Sequence, residues 1–228
     1  MKYAYVTLAT TESFLQGTKL LGYSLKRTQA KYPLVIMITE NLQHLIDEND
    51  GYIYKVIPYY SFRNGGRYKD TINKLQTFDL LEYDKILFLD SDRYVFQNID
   101  DVFETYPQEF YSSIRWRGGY KNVSGDLFLL TPTENKFNEI INNDKYMGCF
   151  DDEVILDDIY KDFVNTHPVE EMIHHYRMVH LSTPVKYWEI KPVSISKLDT
   201  MTNDEVELYI KDINQQLRIE FGIDKIGD

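Results

Sequence analysis

The chain of 228 residues has a single cysteine, Cys149, so no disulfide can form within it and the fold must stand on a packed core. A reducing, cytoplasmic setting is the matching expectation, and catalysis by the lone thiol is not expected. No apolar signal-peptide core follows Met1 and Lys2; Tyr3 to Leu8 reads instead as a first strand. Cations are scarce: 25 Lys and Arg stand against 36 Asp and Glu, a formal net charge of -11. Phosphate backbones are gripped by clustered Lys and Arg, so nucleic acid is excluded as an expected partner. Long hydrophobic runs are missing as well, which excludes a membrane span. Between Leu8 and Phe14 there is no Gly, Lys or Arg, so the first strand lacks the flexible basic loop of a sugar nucleotidyltransferase. The 19 Tyr and 12 Phe dwarf the 2 Trp, an aromatic load that serves core packing first and sugar stacking second.

What is present is an alternation of apolar runs and helical stripes. Strands are expected at Tyr3 to Leu8, Leu34 to Ile38, Tyr52 to Ile57 and Lys85 to Leu89, with helical segments between them. Phe14, Thr18, Leu21 and Leu25 recur at helical spacing behind Thr10, Thr11 and Ser13, which are all able to cap. A second helix is expected over Lys74 to Leu81. This order implies a mainly parallel sheet flanked by helices, an α/β fold. Beyond residue 100 the runs shorten: Phe110 to Ile114, Asp126 to Thr131, a helix from Glu134 to Asn143, Asp152 to Tyr160, and Met178 to Leu181. Asn203 to Phe221 reads as an amphipathic helix, with Gly222 to Asp228 fraying after it. No repeat or linker divides the chain.

Asp90, Ser91 and Asp92 close the run Lys85 to Leu89. In open α/β sheets ligands bind outside the carboxyl ends of strands, and two carboxylates one residue apart there can share one divalent cation. The same residues would also cap a turn, and the motif by itself leaves both readings open. Other segments bear on it. Val6-Thr7-Leu8-Ala9-Thr10-Thr11 runs from a strand into a hydroxyl-rich helix start suited to a base and ribose. Arg67, Lys69 and Lys74 follow the turn Asn64-Gly65-Gly66, and cations at a helix N-terminus oppose its dipole and so want an anion. Ser124-Gly125-Asp126 precedes an apolar run, and Gly125 allows close approach of a ligand. Asp151-Asp152-Glu153 leads a helix, where acids suit the dipole or bind sugar hydroxyls. His180, with Lys186 six residues on, offers an imidazole ligand and a cation.

Taken together in order, Val6 to Thr10, Arg67 through Lys74-Leu75, Phe88 to Asp92, Asn98 to Phe103, Ser124-Gly125, Asp152-Glu153, and His180 with Lys186 resemble glycosyltransferase family 8. This is the glycogenin and galactinol synthase group, and the resemblance runs from Tyr3 to about Trp188. It implies a single GT-A, Rossmann-like domain over 1–228, with a nucleotide-binding half at 1–100, a donor-sugar and acceptor half at 101–190, and a C-terminal helix within 200–228. It further implies a retaining hexosyltransferase moving glucose or galactose from a UDP-sugar to a hydroxyl on a protein, oligosaccharide or polyol, with Mn²⁺ or else Mg²⁺. A homodimer is compatible with this.

By the resemblance, Asp90, Asp92 and His180 hold the metal. Leu8, Thr10, Thr11 and Phe14 line the uridine site. Arg67, Lys74 and Lys186 touch the diphosphate or the donor sugar. Ser124, Gly125, Asp126, Asp152 and Glu153 hold the sugar, and Ser91 and Thr183 join the donor-binding set. Lys186, Asp126 and Asp152 are the residues nearest the chemistry: front-face attack needs no protein nucleophile, and a double displacement through Asp126 or Asp152 is the alternative. Departures from the glycogenin pattern fall at Thr11, Ser124 to Asp126, Glu153 and Thr183, and they leave the sugar open. The stretch from Glu153 to His180 is shorter than in glycogenin, so self-glucosylation at the equivalent tyrosine is not expected.

Rival readings are a haloacid-dehalogenase phosphatase, a sugar nucleotidyltransferase, and a sugar-nucleotide-binding scaffold with an inactive site. The phosphatase family wants Thr or Val where Tyr94 stands, and an inactive scaffold has no need of Lys74, His180 and Lys186.

Overall fold

Strand β1 (Tyr3–Ala9) is buried almost throughout, as an unbroken apolar run demands of a strand covered on both faces. In the computed structural model, which describes residues 1–64, 66–106, 109–117, 120–149, 151–166, 177–181, 186–190 and 192–221, it lies at the middle of a six-stranded sheet. Strands β2 (Leu34–Thr39) and β4 (Lys85–Leu89) flank β1 in parallel, and β3 (Ile53–Ile57) adds parallel to β2. Strand β7 (Tyr120–Leu130) runs antiparallel beside β4, and β6 (Phe110–Arg117) runs antiparallel beside β7. The order is β3-β2-β1-β4-β7-β6, the mainly parallel sheet expected from the alternation.

Period-two alternation along the strands divides the core between two faces. One face sets Ala4, Val6, Ile86 and Phe88 against Ile155, Leu156 and Tyr160 of α5 (Asp152–Thr166). It also takes Phe137 and Ile140 of α3 (Lys136–Ile141), which α4 (Asp144–Met147) follows. The other face sets Tyr5, Leu87 and Leu89 against Leu15, Leu21 and Leu25 of α1 (Glu12–Arg27), and against Phe103 of α2 (Val102–Thr105). Thr11 caps α1 by accepting the Phe14 amide at 3.3 Å.

A third cluster joins Leu20 of α1 to Trp188 of α6 (Tyr187–Ile190), Leu198 of α7 (Ile195–Leu198) and Val206, Ile210, Ile213 and Leu217 of α8 (Asn203–Glu220). The C-terminal helix thus docks on the outer side of α1. A capping box of Thr202 and Glu205 starts it. No helix among the described residues is long and apolar enough to cross a membrane.

Several elements differ from the sequence reading. The helix expected over Lys74 to Leu81 is a 3-10 segment at Thr71–Asp79. Its side chains explain the tighter winding: Asn73 Nδ2 donates to Tyr60 O at 2.7 Å, Gln76 Nε2 to Pro58 O at 3.0 Å, and Thr77 Oγ1 to Lys74 O at 2.6 Å. Polar side chains that bond nearby backbone compete with the i to i-4 ladder. Between β2 and β3 the helical segment is likewise 3-10, at Glu40–Leu45. The helix expected from Glu134 to Asn143 begins later, after Asn135 takes a left-handed φ of 63°, and α4 follows as a separate turn. Strand β5 (Arg93–Val95) was not foreseen; it pairs antiparallel with β8 (Met178–His180), placing Arg93 opposite His180. Residues 222–228, expected to fray, lie outside the described residues.

Gly17 of α1 is where helix and site meet. A Cβ there would lie 2.4 Å from Trp188 Cζ3 and 2.7 Å from Ser91 O. Gly17→Ala is expected to destabilise the protein by about 1–3 kcal/mol, because neither a buried ring nor a turn carbonyl can yield readily. Urea unfolding of the variant checks this, and an unchanged midpoint would show the contact to be slack.

Candidate functional site

Beyond the Val6 and Phe88 pair, β1 and β4 reach Leu8 and Asp90 at the same sheet edge. There the β4 chain turns: the Asp90 amide donates to Asp126 O at 3.0 Å, and the Arg93 amide donates to Asp90 O at 3.1 Å. The Leu181 amide donates to Asp92 O at 2.8 Å, tying the end of β8 to the turn. As a result Asp90, Asp92 and His180 each offer a ligand atom, and these atoms lie within 4.8 Å of one another. Two carboxylates and an imidazole form a donor set that suits Mn²⁺ or Mg²⁺.

Asp92 is 1% exposed and doubly paired. His180 Nε2 lies 3.1 Å from its Oδ1, and Lys186 Nζ lies 2.5 Å from its Oδ2. Burial alone would raise the Asp92 pKa, but the charges of His180 and Lys186 hold it well below the usual carboxylate range. Burial likewise disfavours the His180 cation; the Asp92 charge and hydrogen bonds to Asp126 and Asp92 override this and raise its pKa to about 9. Lys186 Nζ also sits 5.2 Å from the Phe14 ring centroid and 5.9 Å from that of Trp188. Trp188 Nε1 donates to Ser13 Oγ at 2.7 Å, which fixes this segment on the start of α1.

A second carboxylate group faces Lys74. Its Nζ lies 2.8 Å from Asp90 Oδ1, donates to Gly125 O at 3.0 Å, and lies 3.7 Å from Asp152 Oδ2. Burial opposes the Lys74 charge, yet the charges of Asp152 and Asp90 raise its pKa far above the ordinary value. Asp152 is 2% exposed, and its Oδ2 has no hydrogen-bond partner among the described residues. Its pKa is pushed up to about 6, chiefly by burial, with Lys74 opposing. Gly125 is required beside it, because a Cβ there would lie 2.0 Å from Asp152 Oδ2. The Gly125 amide donates to Glu153 Oε1 at 3.3 Å.

Asp126 is fully engaged: Oδ2 meets Arg93 at 2.6 Å and His180 Nδ1 at 2.9 Å, while Oδ1 accepts from Ser113 at 2.9 Å and Ser124 at 2.5 Å. Burial would raise its pKa, but Arg93, His180 and Ser124 hold it well below the usual range.

The fold thus gathers Lys74, Asp90, Asp92, Ser124, Gly125, Asp126, Asp152, Glu153, His180 and Lys186, with Phe14 beside Lys186. Leu8, Thr10 and Thr11 lie at the end of β1 and the start of α1, and Ser91 is buried within the turn. Arg67 is exposed, with its guanidinium bonded to the Tyr68 hydroxyl and 4.6 Å from that ring. Thr183 lies outside the described residues. Arg93 and Ser113 escaped the sequence reading. The one available signal was an Arg placed directly after Asp92 and ahead of the apolar Tyr94-Val95-Phe96.

No protein-family model matches the chain. It is 25% identical over 218 residues to inositol phosphorylceramide glucuronosyltransferase 1 of Arabidopsis thaliana, covering 92% of this chain and 38% of that protein. Galactinol synthase 3 of Arabidopsis thaliana is 34% identical over 123 residues, 49% of this chain and 36% of that one. Glycogenin-1 of Oryctolagus cuniculus is 24% identical over 176 residues, 72% of this chain and 52% of that one. The chain therefore spans little more than a third to about half of these relatives' lengths. Among solved structures, the galactosyltransferase LgtC in complex with donor and acceptor sugar analogs superposes with a TM-score of 0.60 at 12% identity, over 94% of this chain and 96% of that one. The glycosyltransferase GlyE of Streptococcus pneumoniae TIGR4 gives 0.58 at 15% identity, over 93% and 64%. The shared architecture is the GT-A fold expected from the motif order.

Asp152 makes stability depend on pH in a defined direction. Its folded pKa of about 6 exceeds the ordinary 3.8, so between these values the folded protein holds a proton that the unfolded chain has lost. Stability from this group falls as pH rises through that window and stays low above it. Asp152→Asn is therefore expected to raise stability by about 1–3 kcal/mol above pH 6, at about 1.36 kcal/mol per pKa unit, and to gain little near pH 4. Melting curves of both proteins across that range test it; a gain at pH 4 equal to that at pH 7 would contradict it.

Proposed function

We propose that this chain, which has the GT-A fold and resembles glycosyltransferase family 8, moves a hexose, glucose or galactose, from a UDP-sugar to a hydroxyl acceptor with retention of configuration. The observation that carries the reading is the convergence of Asp90, Asp92 and His180 at the end of β4, with Lys74 and Lys186 on either side of them. Residues 1–100 supply the nucleotide half, with Leu8, Thr10, Thr11 and Phe14 at the uridine, and 101–190 supply most of the donor-sugar half.

Mn²⁺ held by Asp90, Asp92 and His180 would act as a Lewis acid towards the diphosphate. Lys186, anchored between Phe14 and Trp188, adds a cation that meets the charge developing on the leaving phosphate. Lys74, held by the Gly125 carbonyl, sets a positive charge between the metal side and the sugar side. Asp152, whose Oδ2 lacks a hydrogen-bond partner among the described residues, takes a donor-sugar hydroxyl, and Glu153 and the close approach at Gly125 shape the same pocket. The bond from the anomeric carbon to the β-phosphate oxygen breaks as the acceptor oxygen bonds to that carbon from the same face. The acceptor proton passes to the departing phosphate. Both oxygens of Asp126 are engaged by cations and hydroxyls, which speaks against its acting as a nucleophile.

Incubation with UDP-glucose or UDP-galactose is expected to release UDP in the presence of Mn²⁺ and not after chelation. Asp92→Asn should abolish that release, and Lys186→Ala should lower kcat by about 10²–10³. Phosphate release from phosphomonoesters without UDP-sugar turnover would overturn the reading in favour of a phosphatase. Trapping of a covalent glycosyl-enzyme would overturn the front-face mechanism.

A further inference from the structure

Beneath the cluster of candidate ligands lies a buried ion pair to which the front-face mechanism gives no part. Arg93 is 8% exposed and Asp126 is 7% exposed. The guanidinium meets Asp126 Oδ2 at 2.6 Å through Nη2, donates from Nε to the Asp126 carbonyl at 3.3 Å, and reaches Met178 Sδ at 3.2 Å through Nη1. A buried ion pair is weak support for stability, since well-packed apolar residues of similar volume serve as well or better. Its placement therefore asks for another reason.

That reason is given by the atoms Asp126 touches. Its Oδ2 accepts from His180 Nδ1 at 2.9 Å, and the opposite ring nitrogen, Nε2, is the one turned to Asp92, at 3.1 Å. Its backbone carbonyl accepts the Asp90 amide at 3.0 Å. Asp126 is thus joined directly to two of the three candidate ligands, and through the His180 ring to the third. Ser113 and Ser124 hold its other oxygen, and β5–β8 pairing sets Arg93 across from His180. Every freedom of the carboxylate is removed.

We propose that Asp126, clamped by Arg93, is a positioning residue: it fixes the proton of His180 on Nδ1 and presents the Nε2 lone pair to a divalent cation at Asp90 and Asp92. The proposal rests on the metal reading given above. Imidazole ligands whose second nitrogen donates to a carboxylate bind metal better because ring orientation and tautomer are set in advance. Arg93 acts one step further out, keeping that carboxylate in place.

The test titrates Mn²⁺ into the protein at saturating UDP, following the free-ion EPR signal, and separately titrates UDP without metal. Asp126→Asn is expected to weaken Mn²⁺ binding by about 10–100-fold and to leave affinity for UDP alone unchanged. Because that variant leaves Arg93 buried without its partner, the double variant Arg93→Met with Asp126→Leu is measured beside it. It removes both charges and, with a cooperative melt as the control for folding, is expected to show the same loss of Mn²⁺ affinity. With Mg²⁺ bound, the ¹⁵N spectrum of the His180 ring is expected to show a protonated Nδ1 and a bare Nε2 in the wild type, and mixed tautomers in the double variant.

Wild-type Mn²⁺ affinity in the double variant, while Asp92→Asn abolishes binding, would overturn the positioning role and spare the metal site. Parallel loss of affinity for UDP alone would reduce Asp126 to a structural part and also overturn the role. Mn²⁺ binding that survives Asp92→Asn, or is absent from the wild type, would overturn the metal reading and this inference with it.

Discussion

Four aspartates meet four cations where the carboxyl end of β4 meets the middle of β7, and the site depends on that local balance. Asp90, Asp92, Asp126 and Asp152 are matched by Lys74, Arg93, His180 and Lys186. In a chain of net charge -11, the cluster is close to neutral and the excess acid lies elsewhere on the chain. Carboxylates this deeply buried are tolerated only when paired or hydrogen-bonded. Three of the four are well paired. Asp152 is the exception, with one oxygen lacking a hydrogen bond among the described residues and a pKa pushed up to about 6, features that mark a candidate functional group.

The backbone makes that concentration of charge achievable. Two close approaches set the geometry, one at Gly17, where α1 meets Trp188 and the Ser91 carbonyl, and one at Gly125, where β7 meets Asp152. Each removes a side chain so that a charged segment can be pressed against its neighbour. The third apolar cluster then locks the arrangement from outside, because α6, which follows Lys186, is packed between α1 and the C-terminal helix. The stability of that helix is therefore coupled to the position of Lys186, which lies 17 residues before Asn203 in sequence but directly precedes the core residues Tyr187 and Trp188.

Strong pairing in the ligand-free protein also bears on how the site works. Lys186 and His180 both pair with Asp92, and under the proposed function a metal with an anionic diphosphate would exchange one set of opposite charges for another. Lys186 would then be released from Asp92 toward the phosphate. Such an exchange would keep the low-dielectric pocket near neutrality.

Much of this protein is legible in its amino-acid order. The parallel strands follow from short, unbroken apolar runs, α1 from its stripe behind capping hydroxyls, and the C-terminal helix from its amphipathic pattern, because these signals are local and each residue's neighbours in sequence are also its neighbours in structure. Asp90, Asp92, Asp152 and His180 could be singled out because each stands at an end of an apolar run, and Lys74 and Lys186 as cations that follow a glycine turn and His180. Tertiary structure decided the rest. It wound Thr71–Asp79 as 3-10, since buried Asn73 and Gln76 turn to a loop that only the fold brings near. It also paired Arg93 with Asp126 and both with His180, contacts spanning 33 to 87 residues of chain. No local pattern encodes a partner that distant; the β4–β7 and β5–β8 registers create it, and with it the function of Asp126.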